Sequence, residues 1–339
     1  METLQVTWFL LIGVLIIGYA ILDGFDFGVG ILHLFNANES DRRVYLNAIG
    51  PVWDGNEVWL LTGGGALFAA FPFVYATVFS GFYLALMLLL VALIARAVSM
   101  EFRGKVDSPS WRKVWDWSFG LGSLLPAVLF GVAFGNILRG LPIDAPGTFQ
   151  GTFLGLLNPY AILVGVLSLL LFVMHGAIYM TLKSDGELRA RSARVASRLW
   201  IAVLIAYGVA TFVTTFVSPF LFFNILQSPV FWVLFLLLLA SVVTIPVWLK
   251  GGRYFPAFLS SSAMIASMIG LSAVSLFPRL VPSSINDDYS LTIFRHSSSE
   301  LTLTVMLVIA LIGMPIVIAY TIIVYRVFKG KVTIGPESY

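Results

Sequence analysis

Two aspartates, Asp23 and Asp26, lie inside an apolar run that begins near Leu4. An ionisable group at bilayer depth costs roughly 2.5–3.5 kcal/mol on insertion scales, so each needs a partner, a cavity or a task. Tyr19, Asp23, Asp26 and Gly30 follow one another at i, i+4, i+7 and i+11, a single stripe on a helix. In the next apolar segment Asp54 and Glu57 are three residues apart and share a face; Arg96 lies near the end of the one after. Carboxyl groups shielded from lipid and bridged by water can relay protons, and that is the chemistry this set suggests. A structural reading stands beside it. Asp23 or Asp26 would then only hydrogen-bond a neighbouring helix, Asp54 would pair with Arg96, and Glu57 and Asp116 would be solvated or packed near the interface. Gly24 and Gly28 form a small-xxx-small pair beside the polar stripe, suited to close helix approach. Gly63, Gly64 and Gly65, costly in a helix, suggest close packing, a kink or an approach route for a small molecule.

The elements that position these residues must be membrane helices. Of 339 residues 59% are hydrophobic and 11% charged, against about 25% charged in soluble proteins. Several apolar stretches exceed the length of a span, and alternating strand patterns are absent. The first run lacks a basic flank and a small-residue cleavage site, so it is expected to remain as a helix. There is no cysteine, which excludes disulfides, thiolate metal sites and iron–sulfur clusters. Nine apolar segments can be placed, at 4–32, 46–69, 73–97, 114–138, 158–182, 199–218, 229–249, 255–277 and 300–326. With nine spans, all of the 20 Lys and Arg residues except Arg139, Arg279 and Arg295 fall on one side. The positive-inside rule then puts the N-terminus outside and the C-terminus in the cytoplasm. Merging segments 2 and 3 into an eight-span chain would scramble that asymmetry. The basic residues thus mark a membrane side and do not suggest nucleic acid. In this orientation Asp23, Asp26, Asp54, Glu57, Asp116 and Arg96 all lie toward the cytoplasm.

His33, His175 and His296 are the three histidines. A bis-histidine haem would need two at matched depth, and His33 and His175 approach only if segments 1 and 5 pack together. Nothing else in the sequence supports haem ligation or a metal site.

The motifs Gly18–Gly30, Gly50-Pro-Val-Trp-Asp-Gly-Asn-Glu-Val-Trp59 and Gly63–Pro72 resemble subunit II of the cytochrome bd-type quinol oxidases. So do Phe79–Tyr83, Trp115-Asp-Trp117, Gly131–Asn136, Leu157–Pro159, Phe277–Ser284 and Ser299–Leu303, in order along the whole chain. The resemblance implies an all-α polytopic fold of nine transmembrane helices. They would form two four-helix bundles (1–138 and 158–277) and one peripheral helix (300–326), within a single membrane domain. It implies a bacterial cell-membrane location and a haem-bearing partner, subunit I, with haem b, haem d and the quinol site. One or more small single-helix subunits, membrane lipid and quinone would be further partners. No cofactor is expected on this chain itself, and no catalytic residue. Subunit II would stabilise the complex, which oxidises quinol and reduces oxygen to water, and would help form its proton and oxygen routes. By their motifs, Asp23, Asp54 and Arg96 match the proton route, with Asp26 and Glu57 as further members of the cluster. Trp59 matches an aromatic residue beside an oxygen path. A proton-coupled secondary transporter is the main alternative, and a membrane scaffold the second.

Overall fold

The computed structural model describes residues 1–223 and 225–335. The chain is built almost wholly of helices. In order these are α1 Glu2–His33, α2 Glu39–Ile49, α3 Trp53–Ala70, α4 Pro72–Gly81, α5 Tyr83–Phe102, α6 Pro109–Arg139, α7 Pro159–Lys183, α8 Gly186–Val217, α9 Pro229–Lys250, α10 Tyr254–Leu276 and α11 Glu300–Val327. A small antiparallel pair, β1 Arg279–Val281 with β2 Leu291–Thr292, forms in the loop before α11. Helix starts follow local chemistry. Ser108, Asn158 and Ser299 each accept a hydrogen bond from the backbone N–H three residues on, and proline follows the first two.

Among the described residues, eight helices are long and apolar enough to cross a membrane: α1, α5, α6, α7, α8, α9, α10 and α11. The second predicted segment appears as α3, 18 residues long, with Asp54, Asn56 and Glu57 in its first turns. Its polar start keeps it out of the apolar set. At Ala69–Pro72, where the sequence predicts a short hairpin, α3 stops at Ala70 and Pro72 opens α4. The third predicted segment is broken at Phe82 into α4 and α5.

Helix α1 is the centre of the molecule, packed against α3, α6, α7 and α10. Glycines make the close approaches. A Cβ on Gly28 would lie 2.0 Å from the Phe172 carbonyl oxygen and 2.9 Å from Gly176 Cα, so α1 and α7 meet backbone to backbone. A Cβ on Gly30 would collide with Ser123 of α6 at 2.0 Å. The close helix approach expected of Gly24 and Gly28 is thus present, and its partner is α7. The glycine triplet behaves differently: nothing lies within 4 Å of a Cβ on Gly64 or Gly65, and Gly63 has only Leu15 at 3.7 Å. It makes no tight packing within this chain.

Polar links tie each end of the bundle. At one end Ser298 donates to the carbonyls of Ala69 (2.6 Å) and Ala70 (2.8 Å), Gln5 Nε2 donates to Ser297 Oγ at 2.7 Å, and Trp8 Nε1 donates to the Leu303 carbonyl at 3.0 Å. At the other end Lys183 Nζ donates to the Phe328 carbonyl at 2.7 Å, and Lys331 pairs with Asp185.

Candidate functional site

The antiparallel contact of α1 with α3 builds the site. Down this seam Asp26 faces Asn56, Gly18 faces Trp59 and Leu15 faces Gly63. A Cβ on Gly18 would lie 2.3 Å from the Trp59 ring, so glycine is what lets the indole lie flat on α1. Arg96 reaches the same place from α5. Asp23, Asp26 and Arg96 have no solvent exposure.

Arg96 Nη2 donates to Asp23 Oδ1 at 2.5 Å and stands 3.6 Å from Glu57 Oε1, within ion-pair range but beyond hydrogen bonding. Its guanidinium also lies over the Phe27 ring, 4.5 Å from the centroid. Asp26 is held otherwise. Its Oδ2 accepts from Asn56 Nδ2 at 2.7 Å, and Asn56 Oδ1 accepts from the Tyr325 hydroxyl of α11 at 3.0 Å. Asn56 Nδ2 also donates to the Leu22 carbonyl at 3.2 Å. The two aspartates of one stripe therefore have different partners, a cation for Asp23 and a neutral amide for Asp26.

Two carboxyl groups, those of Asp23 and Glu57, share the Arg96 guanidinium, and Asp26 stands beside them on the Asn56 amide. Several of the cluster's buried polar atoms have no protein hydrogen-bond partner: Asp23 Oδ2, Asp26 Oδ1, Glu57 Oε1, Tyr19 Oη, and Arg96 Nε and Nη1. Buried polar atoms of this kind are seldom left without a hydrogen bond in folded proteins. Exposure falls in order along the way in: Asp54 is exposed, the Glu57 side chain is 24% exposed, and Asp23 and Asp26 are sealed.

Asp54 is not the partner of Arg96; Asp23 and Glu57 are. The reason is register, because Asp54 lies in the first turn of α3, where its side chain is exposed on this chain's surface. Asp116, expected to be solvated or packed near the interface, is packed: it is buried at the centre of a second cluster. It accepts from His33 Nε2 (2.6 Å), Arg42 Nη1 (2.8 Å) and Arg103 Nε (2.6 Å), and Arg103 also binds Glu39 at 2.8 Å. This clasp joins α1, α2, α5 and α6 beyond the Asp23 site. The sequence signal for it was only that His33, Arg42, Arg103 and Asp116 all fall at helix ends on the same side.

The histidines are engaged in the protein's own bonds. His175 Nε2 meets the Ile21 carbonyl at 3.1 Å, which can only accept, so Nε2 carries the proton and Nδ1 accepts from Ser261 Oγ at 2.7 Å. The ring stacks on Phe258, 4.8 Å between centroids. Segments 1 and 5 do pack together, yet His33 lies 12 residues along α1 from Ile21, roughly 18 Å. The two histidines are not at matched depth and do not fit a shared haem. Among the described residues no group of three or more His, Asp or Glu is arranged to hold a metal ion.

The geometry is that of a multi-pass membrane protein with a sealed ionisable cluster. The family model described as cytochrome bd terminal oxidase subunit II matches residues 4–328. The "Probable cytochrome oxidase subunit 2" of Haemophilus influenzae is 40% identical over 360 residues, covering 97% of this chain and 95% of that one. The "Cytochrome bd ubiquinol oxidase subunit 2" of Bacillus subtilis is 39% identical, covering 98% of each. The "Cytochrome bd-I ubiquinol oxidase subunit 2" of Escherichia coli K12 is 36% identical over 98% of this chain and 96% of its own. The solved structure of bd oxidase from Geobacillus thermodenitrificans shares the fold, with a TM-score of 0.77 at 17% identity, covering 96% of this chain and 98% of that one. The chain belongs to the cytochrome bd terminal oxidase subunit II family. It is a subunit of a respiratory oxidoreductase complex, and membership of this family implies a subunit I partner. The transporter and scaffold readings give way to this one.

Proposed function

We propose that this chain carries protons from the cytoplasm toward a haem-bearing subunit I, in a complex that oxidises quinol and reduces oxygen to water. The observation that carries the reading is the exposure gradient from Asp54 through Glu57 to the sealed Asp23–Asp26–Arg96 cluster, several of whose buried polar atoms have no protein hydrogen-bond partner. Arg96 and Asp23 are the fixed ion pair that anchors the route. Asp26, bound to a neutral amide, is the carboxyl that takes up and releases the proton. Asn56 and Tyr325 orient it. Haem b and haem d belong to the partner in this reading; the engagement of His175 and His33 within the chain supports that. Trp59, laid against Gly18 with its buried Nε1 free of a protein partner, lines an apolar path for oxygen. Quinone, lipid and a small single-helix subunit are further partners in this proposal.

The arrangement we favour has nine crossings, as bundles 1–138 and 158–277 with α11 outside them. Two observations support it. The first residues of α1 bond to the loop that precedes α11, whereas the end of α11 bonds to Lys183 at the other end of the bundle. A chain whose termini lie at opposite ends crosses an odd number of times. Helix α3, at 18 residues roughly 27 Å long, runs from the cytoplasmic-side cluster to the Ser298 contacts at Ala69 and Ala70.

The test is quinol-driven oxygen consumption by the purified complex with its haem content quantified. Asp26→Asn and Glu57→Gln are expected to slow turnover at least tenfold with haem content unchanged, because each keeps its shape and loses its exchangeable proton. Unimpaired turnover in a double Asp26→Asn, Asp54→Asn variant would end the proposal. Trp59→Leu is expected to alter the KM for oxygen more than the maximal rate.

A further inference from the structure

Helix α8 carries one exposed stripe that changes character along its length. Arg194 and Arg198 begin it, and Ile201, Ile205, Val209, Phe212 and Phe216 continue it at spacings of three and four. All are exposed. From Ile201 to Phe216 the apolar part runs about 22 Å, longer than the roughly 15 Å depth of one leaflet's hydrocarbon. Helix α9 returns beside it with the same design, Val243 and Val247 exposed and Lys250 at the end. Where the two basic ends meet there is a cleft of ≈ 310 Å³ between Ala193, Arg194, Ser197, Arg198, Leu249 and Lys250. No acidic residue lines it.

The cations of this cleft are mostly uncommitted. Arg194 pairs with Glu187 at 2.6 Å, but Arg198 and Lys250 have no ion pair or side-chain hydrogen bond among the described residues. That contrasts with the neighbouring cluster, where Arg42 and Arg103 are bound to Asp116, and with Arg191, bound to Asp41 at 2.7 Å. A phosphate held at the mouth of two parallel apolar ridges completes both features together. Basic pockets between helix ends on the cytoplasmic side are suited to anionic headgroups.

We propose that the α8–α9 cleft is a binding site for one anionic phospholipid of the cytoplasmic leaflet. Arg198 and Lys250 bind its phosphate, Arg194 supports them, and its acyl chains lie along the Ile201–Phe216 stripe and the Val243–Val247 ridge. The site lies apart from the Asp23 cluster and does not depend on the proton-route reading.

The test uses the intact detergent-purified oxidase, stripped of lipid and titrated with phosphatidylglycerol, diphosphatidylglycerol or phosphatidylcholine, with retained lipid counted by native mass spectrometry. The wild-type complex is expected to retain one more acidic lipid than an Arg198→Gln, Lys250→Gln variant. Affinity should fall on the order of tenfold or more, at about fivefold per cation removed. Phosphatidylcholine should not substitute. A second variant, Lys105→Gln with Lys113→Gln, removes the same charge elsewhere on the same side and should retain lipid normally. Equal loss in both variants would mean a diffuse surface potential and overturn the site, as would equal retention in wild type and the cleft variant. Binding of inorganic phosphate without lipid retention would make it a free-anion site and overturn the lipid assignment. Haem content and turnover, expected to be unchanged in both variants, report that the complex is folded.

Discussion

Asp23 and Asp26, three residues apart on one helix, should answer the same substitution in opposite ways. Asp23→Asn leaves the Arg96 guanidinium sealed from water with its bonded carboxylate gone. Breaking a buried ion pair from one side costs about 3–5 kcal/mol. The expected result is loss of assembled, haem-loaded complex, seen as reduced yield and a lower melting temperature. Asp26→Asn keeps an acceptor for Asn56 Nδ2, so assembly should survive while turnover falls. If both variants lose haem alike, the distinction between anchor and carrier is wrong. A second residue-scale prediction concerns the loop before α11. His296 Nδ1 accepts from the Thr292 N–H at 3.0 Å, and its ring stacks on Phe73. Partial burial pushes the His296 pKa down, so the folded loop favours the neutral ring. Its stabilising share is therefore fully present above the unfolded value near 6.5, and is lost as pH falls below that through the lowered folded value. Limited proteolysis of 278–299 should accelerate between pH 7.5 and 5, and His296→Gln should flatten the change. The aspartates and Arg96 were legible as candidates because charge in an apolar run is costly. Their pairing was not, because it depends on which turn of α3 faces α1, and a shift of three residues moves Asp54 out and Asn56 and Glu57 in.

Glycine spacing predicted close helix contact, and the structure divides those glycines by element. Gly28 and Gly176 sit where α1 and α7 touch, so Gly28→Leu must force the helices apart. Overpacking alone typically costs 1–3 kcal/mol, and a backbone-to-backbone contact has no side chain that can yield. Loss of folded subunit II, followed by immunoblot of membranes, is expected. Gly64→Ala meets nothing within 4 Å, and should be neutral or raise the chain's thermal stability by up to about 1 kcal/mol through helix propensity. Destabilisation of the chain by Gly64→Ala would show that α3 packs more closely than the geometry implies. The element that sequence periodicity described least well is α3. Its polar first turns lower its mean hydropathy, and those same residues build the site. The Asp116 clasp was missed for a related reason: its members come from four helices, and no window along the chain contains them.

Across the whole molecule, the two ends differ in what holds them. The absence of cysteine allows a direct topology test, because single cysteines can be introduced without background. Thr148→Cys, in the loop bonded to α4 through Thr77, should react with an impermeant maleimide on intact cells. Lys105→Cys should react only after permeabilisation. Labelling of both from the same side would rule out the nine-crossing arrangement. The sequence by itself determined the membrane class and the family, because hydropathy and ordered motifs are properties of the chain read linearly. Only the tertiary structure decided that Arg96 belongs to Asp23, that Asp26 is clamped through Asn56 to α11, and that Asp116 is a buried hub. Those outcomes depend on register and rotation between helices. They are set by close contacts at Gly18 with the Trp59 ring, at Gly28 with the α7 backbone and at Gly30 with the Ser123 side chain, all between segments distant in sequence.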